Sequence, residues 1–428
     1  MRHSKENLYA RQALGSSHHF LDNLYFISRM KQTNNAIKFL MAQYRAIFKN
    51  ANIAMVAAMA AAALAAGSAN AAKISDWNAI ADGTLDGSAD TKALAIVGAD
   101  TKNESAGFDI TLSANHADGA HKITGAKGHT EFNTAAEKTT SITLNAKTGK
   151  ADGVGLEIGA ATSADTIAKL NITNFNVYAG TATVTGQAAG AQSVVAAKNI
   201  QIGGSAGGSV TVATDPAGVV TLAGHGVIGA ADKTEKFDIL TGGELKFTAE
   251  GAKAASKNGI TLNGGKITVV AAATNAAIEG RLNVNNGTVD VANAGVLTVS
   301  GLTTVNSGTV TVSGDSATKG TLTLNGGLTL NGGKIDLKKA QTGGVLNVSG
   351  NTLVTASGDL SIGSGAVAKF QGNAEFAKGT LKVADGGKIQ LGDDLKKGAT
   401  RTLKVDSNDT VDMNRIRRCW LKVCSSVN

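Results

Sequence analysis

Two serines stand in settings that could activate a nucleophile. Gly203-Gly204-Ser205-Ala206-Gly207 has the G-x-S-x-G spacing, which in hydrolases places a serine on a sharp strand-to-helix turn. That turn needs a buried strand before it, a helix after it, and a histidine and an acid within reach. Here further glycines and the strand-like Ser209-Val210-Thr211-Val212 follow instead, so a glycine-rich corner is expected. Gly314-Asp315-Ser316 is the second serine loop. No histidine-containing partner motif stands upstream of it, and an activated serine requires a base at hydrogen-bond distance. No catalytic residue is expected at either place.

Metal ligation has two candidate segments. His116, His121 and His129 lie close together, near Asp118 and Glu131, and histidines with carboxylates can hold zinc. Their spacings of 5 and 8 do not form a helical ligand pair, and the segment reads as strand and loop. Asp393-Asp394 and the pair Asp406 and Asp409 offer oxygen ligands of the kind calcium takes, but the glycine-rich calcium nonapeptide is missing. Neither a P-loop nor a dinucleotide fingerprint occurs. No metal and no cofactor are expected.

The elements that would position these residues are short strands in a repeat. Between Phe237 and Leu391 the chain alternates apolar-x-apolar, a short Asn/Gly turn, and apolar-x-apolar again. Ile260-Thr261-Leu262-Asn263-Gly264-Gly265-Lys266-Ile267-Thr268-Val269 is one copy. The turns open at Thr241, Asn263, Asn285, Asn306 and Asn331, in steps of 22, 22, 21 and 25 residues. A period of that length marks a stacked repeat.

Two-residue alternation sends Ile260 and Leu262 to one face and Thr261 to the other. Val289 and Val291 then point inward and Asp290 outward. Gly and Asn tolerate the left-handed backbone that the corners require, while Val, Ile and Thr suit a pleated, half-buried surface. One strand-turn-strand unit cannot bury its apolar face; an identical neighbour stacked on it can. The expected fold is therefore all-β: a parallel β-solenoid, a right-handed β-helix, with an N-terminal signal helix. At one corner the spacing allows Asn263, Asn285, Asn306 and Asn331 to stack as a polar ladder. The competing reading has each asparagine satisfying only its own turn. A β-sandwich suits the strand spacing too, but the units are self-similar throughout, Pro216 is the one proline, and aromatics are 4% of the chain.

The 428 residues carry a formal charge of +8, concentrated at the ends. Residues 1–71 hold 8 Lys/Arg against 2 Asp/Glu, and 414–428 hold 4 Lys/Arg and no acid, whereas 72–413 sum to −2. The body offers no basic surface, so no nucleic-acid partner is expected. Lys31, Lys38, Arg45 and Lys49 precede the apolar run Ile53 to Ala66, and Ala69-Asn70-Ala71 follows. This pattern predicts a secretory signal cut between Ala71 and Ala72. Cys419 and Cys424 are the only cysteines, so the body of the exported chain would hold no disulfide.

The predicted organisation is an upstream extension over 1–29, a signal peptide over 30–71 and an irregular solenoid over 72–236. Its N-terminal cap would contain Trp77. Regular repeats fill 237–405 and a non-repeat tail occupies 406–428.

The basic leader, the cysteine-free solenoid and the Asn-x-Gly-[Thr/Lys]-[Val/Ile]-x-[Val/Leu] repeats together resemble the passenger region of bacterial autotransporters (type V secretion). In texture the chain is similar to rickettsial-type surface cell antigens, over about residues 30–405. The resemblance implies delivery by outer-membrane translocation machinery, a cell-surface, outer-membrane or extracellular location, and a role as adhesin or surface antigen in virulence. Gly314-Asp315-Ser316 is similar to the nucleophile loop of protease passengers, with Ala317 where those have Gly. The family's C-terminal β-barrel of alternating membrane strands is missing, which predicts a fragment or a truncated product.

The expected function is thus non-catalytic adhesion to host-cell or matrix surface molecules, through outward residues such as Thr268, Asp290, Thr311 and Asp336. A secreted polysaccharide-degrading β-helix and a structural surface-array protein are the alternatives. The first would need clustered carboxylates or aromatic sugar platforms on one face.

Overall fold

The computed structural model describes residues 77, 80, 82–85, 94–97, 103–115, 119–125, 130–146, 154–160, 167–204, 218–315, 317–337, 343–355, 357–377, 379–391, 403–405 and 411–413. Every strand pairing among them is parallel. The described strands wind as a solenoid over three faces, and apart from the first and last on each face every strand pairs with its counterpart one coil earlier and one coil later.

The first face starts at Gly83–Leu85 and Phe108–Leu112 and continues through Lys236–Leu240 to Leu403–Val405. The second runs from Ala95–Val97 through Gly243–Phe247 to Val411–Met413. The third runs from Asn103–Ser105 through Val296–Val299 to Lys388–Leu391. No α-helix occurs among the described residues. The expected signal helix over 30–71 lies outside them.

Alternation fixes which side chains enter the core. On the first face Leu112, Leu144, Val177, Ile202, Ile239, Leu262, Val284, Val305, Leu330, Val354 and Phe376 lie in one register row. All of them are buried. Each apolar side chain thus packs on a like residue about 4.8 Å above and below, the strand spacing, and only the stack removes it from water.

Two threonines in an otherwise apolar row do not fit this scheme. Thr303 and Thr352 take inward positions in the neighbouring row, on either side of Leu328. Both are buried, and neither hydroxyl has a hydrogen-bond partner.

The described strands before residue 236 belong to the same solenoid. Ala168–Gly186 is one strand of 19 residues. Its start pairs on the third face, its middle on the first and its end on the second. At the N-terminal end Trp77 is buried, with its ring 4.9 Å from Phe108 and 5.1 Å from Phe132. Its Nε1 donates to the Asn133 carbonyl at 3.1 Å. Strands so early in the stack have few neighbours to bury them, and the indole supplies apolar area.

Candidate functional site: an asparagine ladder and a polar cleft

The corner between the first and second faces carries the repeat asparagines. Asn285 Nδ2 donates to Asn263 Oδ1 at 2.9 Å, Asn306 Nδ2 to Asn285 Oδ1 at 2.8 Å, and Asn331 Nδ2 to Asn306 Oδ1 at 2.7 Å. The four carboxamides form one continuous, exposed chain of hydrogen bonds. Thr241 is exposed one coil before Asn263. In Ile260–Val269 and Leu282–Val291 the strand runs on through the corner, and the extra residues appear as register shifts. Gly287 makes this possible. Its φ is +110, and a Cβ there would lie 2.3 Å from the Gly265 carbonyl oxygen, so only glycine lets the coils stack at this distance.

The outward residues expected to carry binding share one row on the second face. Thr268, Asp290, Thr311 and Asp336 are consecutive register partners. Thr268 donates to Glu244 Oε1 at 2.5 Å, and Lys334 pairs with Asp336 at 3.1 Å. Thr311 departs from the expectation. It lies between Asp290 and Asp336 in the outward row, yet it is only 8% exposed. A place in an outward row therefore does not by itself make a side chain available to a partner.

The sequence-level chemical candidates resolve into structural roles where they are described. Gly203 and Gly204 have φ of +78 and +75, and their amides donate to the carbonyls of Val177 and Thr241. They form a left-handed corner; Ser205 lies outside the described residues. Asp315 organises its own loop. Its Oδ1 accepts from the amides of Ala317 at 2.8 Å and Thr318 at 2.6 Å, and Asn293 Nδ2 donates to its Oδ2. Those bonds, the one from Thr318 foremost, hold its carboxyl below the ordinary aspartate value. Ser316 is outside the described residues.

His121 is fully buried. Its Nδ1 accepts from the Leu94 amide at 2.8 Å, so Nε2 bears the proton and donates to the Ala114 carbonyl at 3.0 Å. Both ring nitrogens are engaged by backbone. His116, Asp118 and His129 lie outside the described residues, as do Asp393, Asp394, Asp406, Asp409 and the cleavage site at Ala71 and Ala72. Among the described residues no three His, Cys, Asp or Glu converge at metal-ligating distances.

One concave feature was not legible in the sequence. On the third face Glu131 is the register partner of Lys169, and Asn133 of Asn171. One coil further the row continues as the smaller Val194 and Ala196, and the step down in side-chain size leaves a hollow. Two loops wall it. One is the Gln187–Ala191 turn, closed by Gln187 N donating to Ala191 O at 2.9 Å. The other is the Ala230–Thr234 turn, whose Thr234 hydroxyl is pinned to the Ala197 carbonyl at 2.6 Å. The result is an open cleft of about 530 Å³, within the range of small-ligand sites.

A hydrogen-bond chain crosses this cleft. Lys233 Nζ donates to Asn171 Oδ1 at 3.3 Å, and Asn171 Nδ2 donates to Asn133 Oδ1. Asn133 Nδ2 is buried with no acceptor. Asp232 and Gln192 also line the space.

No protein-family model, no curated protein and no solved structure matches this chain.

Proposed function

We propose that the chain is the passenger of an autotransporter-like bacterial surface protein, which acts by non-catalytic adhesion to host-cell or matrix molecules. In this reading the solenoid is right-handed, as parallel crossovers nearly always are, and residues 30–71 deliver it for export. The supporting observation is the repeated outward surface. Successive coils carry register-matched short polar groups in their outward rows, such as Thr268 and Asp290 on one face and Thr298 and Thr323 on another. Groups repeated along a rigid stack make many weak contacts, which add through multivalency when copies are displayed together. The test compares purified residues 72–413 in solution with the same protein arrayed on beads. Weak binding to host cells or matrix in solution, and markedly stronger binding on beads, is expected. Beads that bind no cell or matrix surface would sink the adhesin reading and favour a structural array.

A second reading, a polysaccharide-degrading enzyme, draws on Glu131 and Asp232 sharing the cleft, because glycoside hydrolysis uses carboxylate pairs. Release of reducing ends from polysaccharide, lost in Glu131→Gln, would replace the adhesin reading with this one.

A further inference from the structure

The cleft on the third face is concave, walled by two loops and rich in ionisable groups. Its charged side chains are Glu131, Lys169, Asp232 and Lys233, so its formal charge is zero. Among the described residues Glu131, Lys169 and Asp232 enter no ion pair. Their polar capacity is therefore uncommitted. With two carboxylates and two ammonium groups, the site offers no net attraction to a polyanion or a polycation.

The ligand that matches this set carries many hydroxyls and no net charge. A hydroxyl both donates and accepts. The carboxylates of Glu131 and Asp232 accept only, the ammonium groups of Lys169 and Lys233 donate only, and Asn171 and Gln192 do both. Glu131 and Lys169 stand one strand spacing apart, about 4.8 Å, as do Asn133 and Asn171. This makes a two-by-two polar grid on the scale of a sugar ring. Beside it Val194 and Ala196 give a small aliphatic floor for the C–H face of such a ring. A peptide strand is the poorer match. Peptides add to sheets through unpaired backbone at an edge, and here the backbone of Ala168–Gly186 is already paired on both sides.

We infer that this cleft binds a neutral saccharide, held by Glu131, Asp232, Lys169 and Asn171 over the Val194–Ala196 floor. The inference deepens the adhesin reading and rests on it for its surface setting, since it names the chemistry of one partner.

The test applies the intact chain to an array of neutral hexose and N-acetylhexosamine oligosaccharides, printed beside sialylated and sulfated glycans. Affinities for the neutral probes that bind are then measured in solution. Binding to neutral glycans is expected at ordinary salt, with little change as salt rises. Asp232→Ala and Glu131→Ala should each weaken it about tenfold, the loss of one hydrogen bond to a charged group. Ala189→Trp, on the exposed loop that lines the cleft, should abolish it by filling the space, with the circular dichroism spectrum and melting temperature of the parent. Glu157→Ala, on another face, should leave it intact. Absence of array binding overturns the inference, as does salt-sensitive binding to sulfated glycans only, or neutral binding that survives Ala189→Trp. If array binding fails while beads still bind cells, the cleft assignment falls and the adhesin reading stands. If neutral glycans bind but beads do not adhere, the outcome is the reverse.

Discussion

Asn285 donates to Asn263 and accepts from Asn306, so a single side chain links three coils through two hydrogen bonds of 2.9 and 2.8 Å. Each carboxamide in the chain polarises the next, which makes such ladders cooperative. Their amides are exposed, and water competes for each bond, which limits the net worth of any one.

Asn285→Ala should therefore cost about 1 kcal/mol, read as a lower denaturant midpoint at unchanged slope. Asn306→Ala should cost a similar amount. The double variant should lose less than the sum, because the bond between the two residues is already gone in either single variant. Strict additivity in the double-mutant cycle would show that the asparagines serve only their own turns.

The inward and outward assignments of the repeat predict opposite behaviour for adjacent residues. Val289 is fully buried between Ile267 and Val310, whereas Asp290 is half-exposed. Val289→Asp buries an unpaired charge and should cost several kcal/mol, of the order of 4. Coils contact only their neighbours, so hydrogen exchange should rise first around Ile267 and Val310. Asp290→Thr should stay within about 0.5 kcal/mol of the parent. Equal losses in the two variants would reverse the faces.

The sequence makes the stacked parallel strands and the ladder spacing legible, because Asn263, Asn285, Asn306 and Asn331 punctuate strands with strong polar–apolar contrast. The third face is harder to read. Its strands include Lys253–Ala255 and Ala276–Glu279, and alanine is buried or exposed with almost equal ease, so alternation leaves little trace there. Ala168–Gly186 falls in the stretch whose sequence reads as irregular, yet it turns two corners as one strand. The cleft was invisible for a different reason. Glu131, Lys169 and Asp232 are far apart in sequence and meet only because coils stack in register. Nor does periodicity reveal that Thr311 is covered or that Thr352 faces inward.

The buried threonines give a stabilising prediction. Thr352 is 2% exposed and its hydroxyl is unpartnered. Its position lies in the same row as Leu328 and Ala374. Thr352→Val keeps the branched shape and removes a desolvated hydroxyl, so stability should rise by about 1 kcal/mol. Thr303→Val should do the same, and the two gains should add because Leu328 separates them. A loss of stability in both variants would mean that the hydroxyls find partners in solution.

The loop after Val312 should respond to acid through Asp315. The amide of Thr318 foremost, then that of Ala317, stabilises the charged carboxylate and lowers its pKa from the ordinary 3.8. A depressed folded-state pKa adds stability that is fully present above the unfolded value and lost as pH falls through the folded one. The loop should therefore keep its shape from neutral pH down to about 3.8 and loosen below it. The amide resonances of Ala317 and Thr318 should titrate together, with a midpoint under 3.8. In Asp315→Asn the two amides keep an oxygen acceptor but lose the charge, so their shifts should stay flat across this range. The bridge between Gly314 and Lys319 should persist at neutral pH in that variant. A midpoint at or above 3.8 in the parent, or the same titration in Asp315→Asn, would show that the loop is held by its backbone and not by the aspartate.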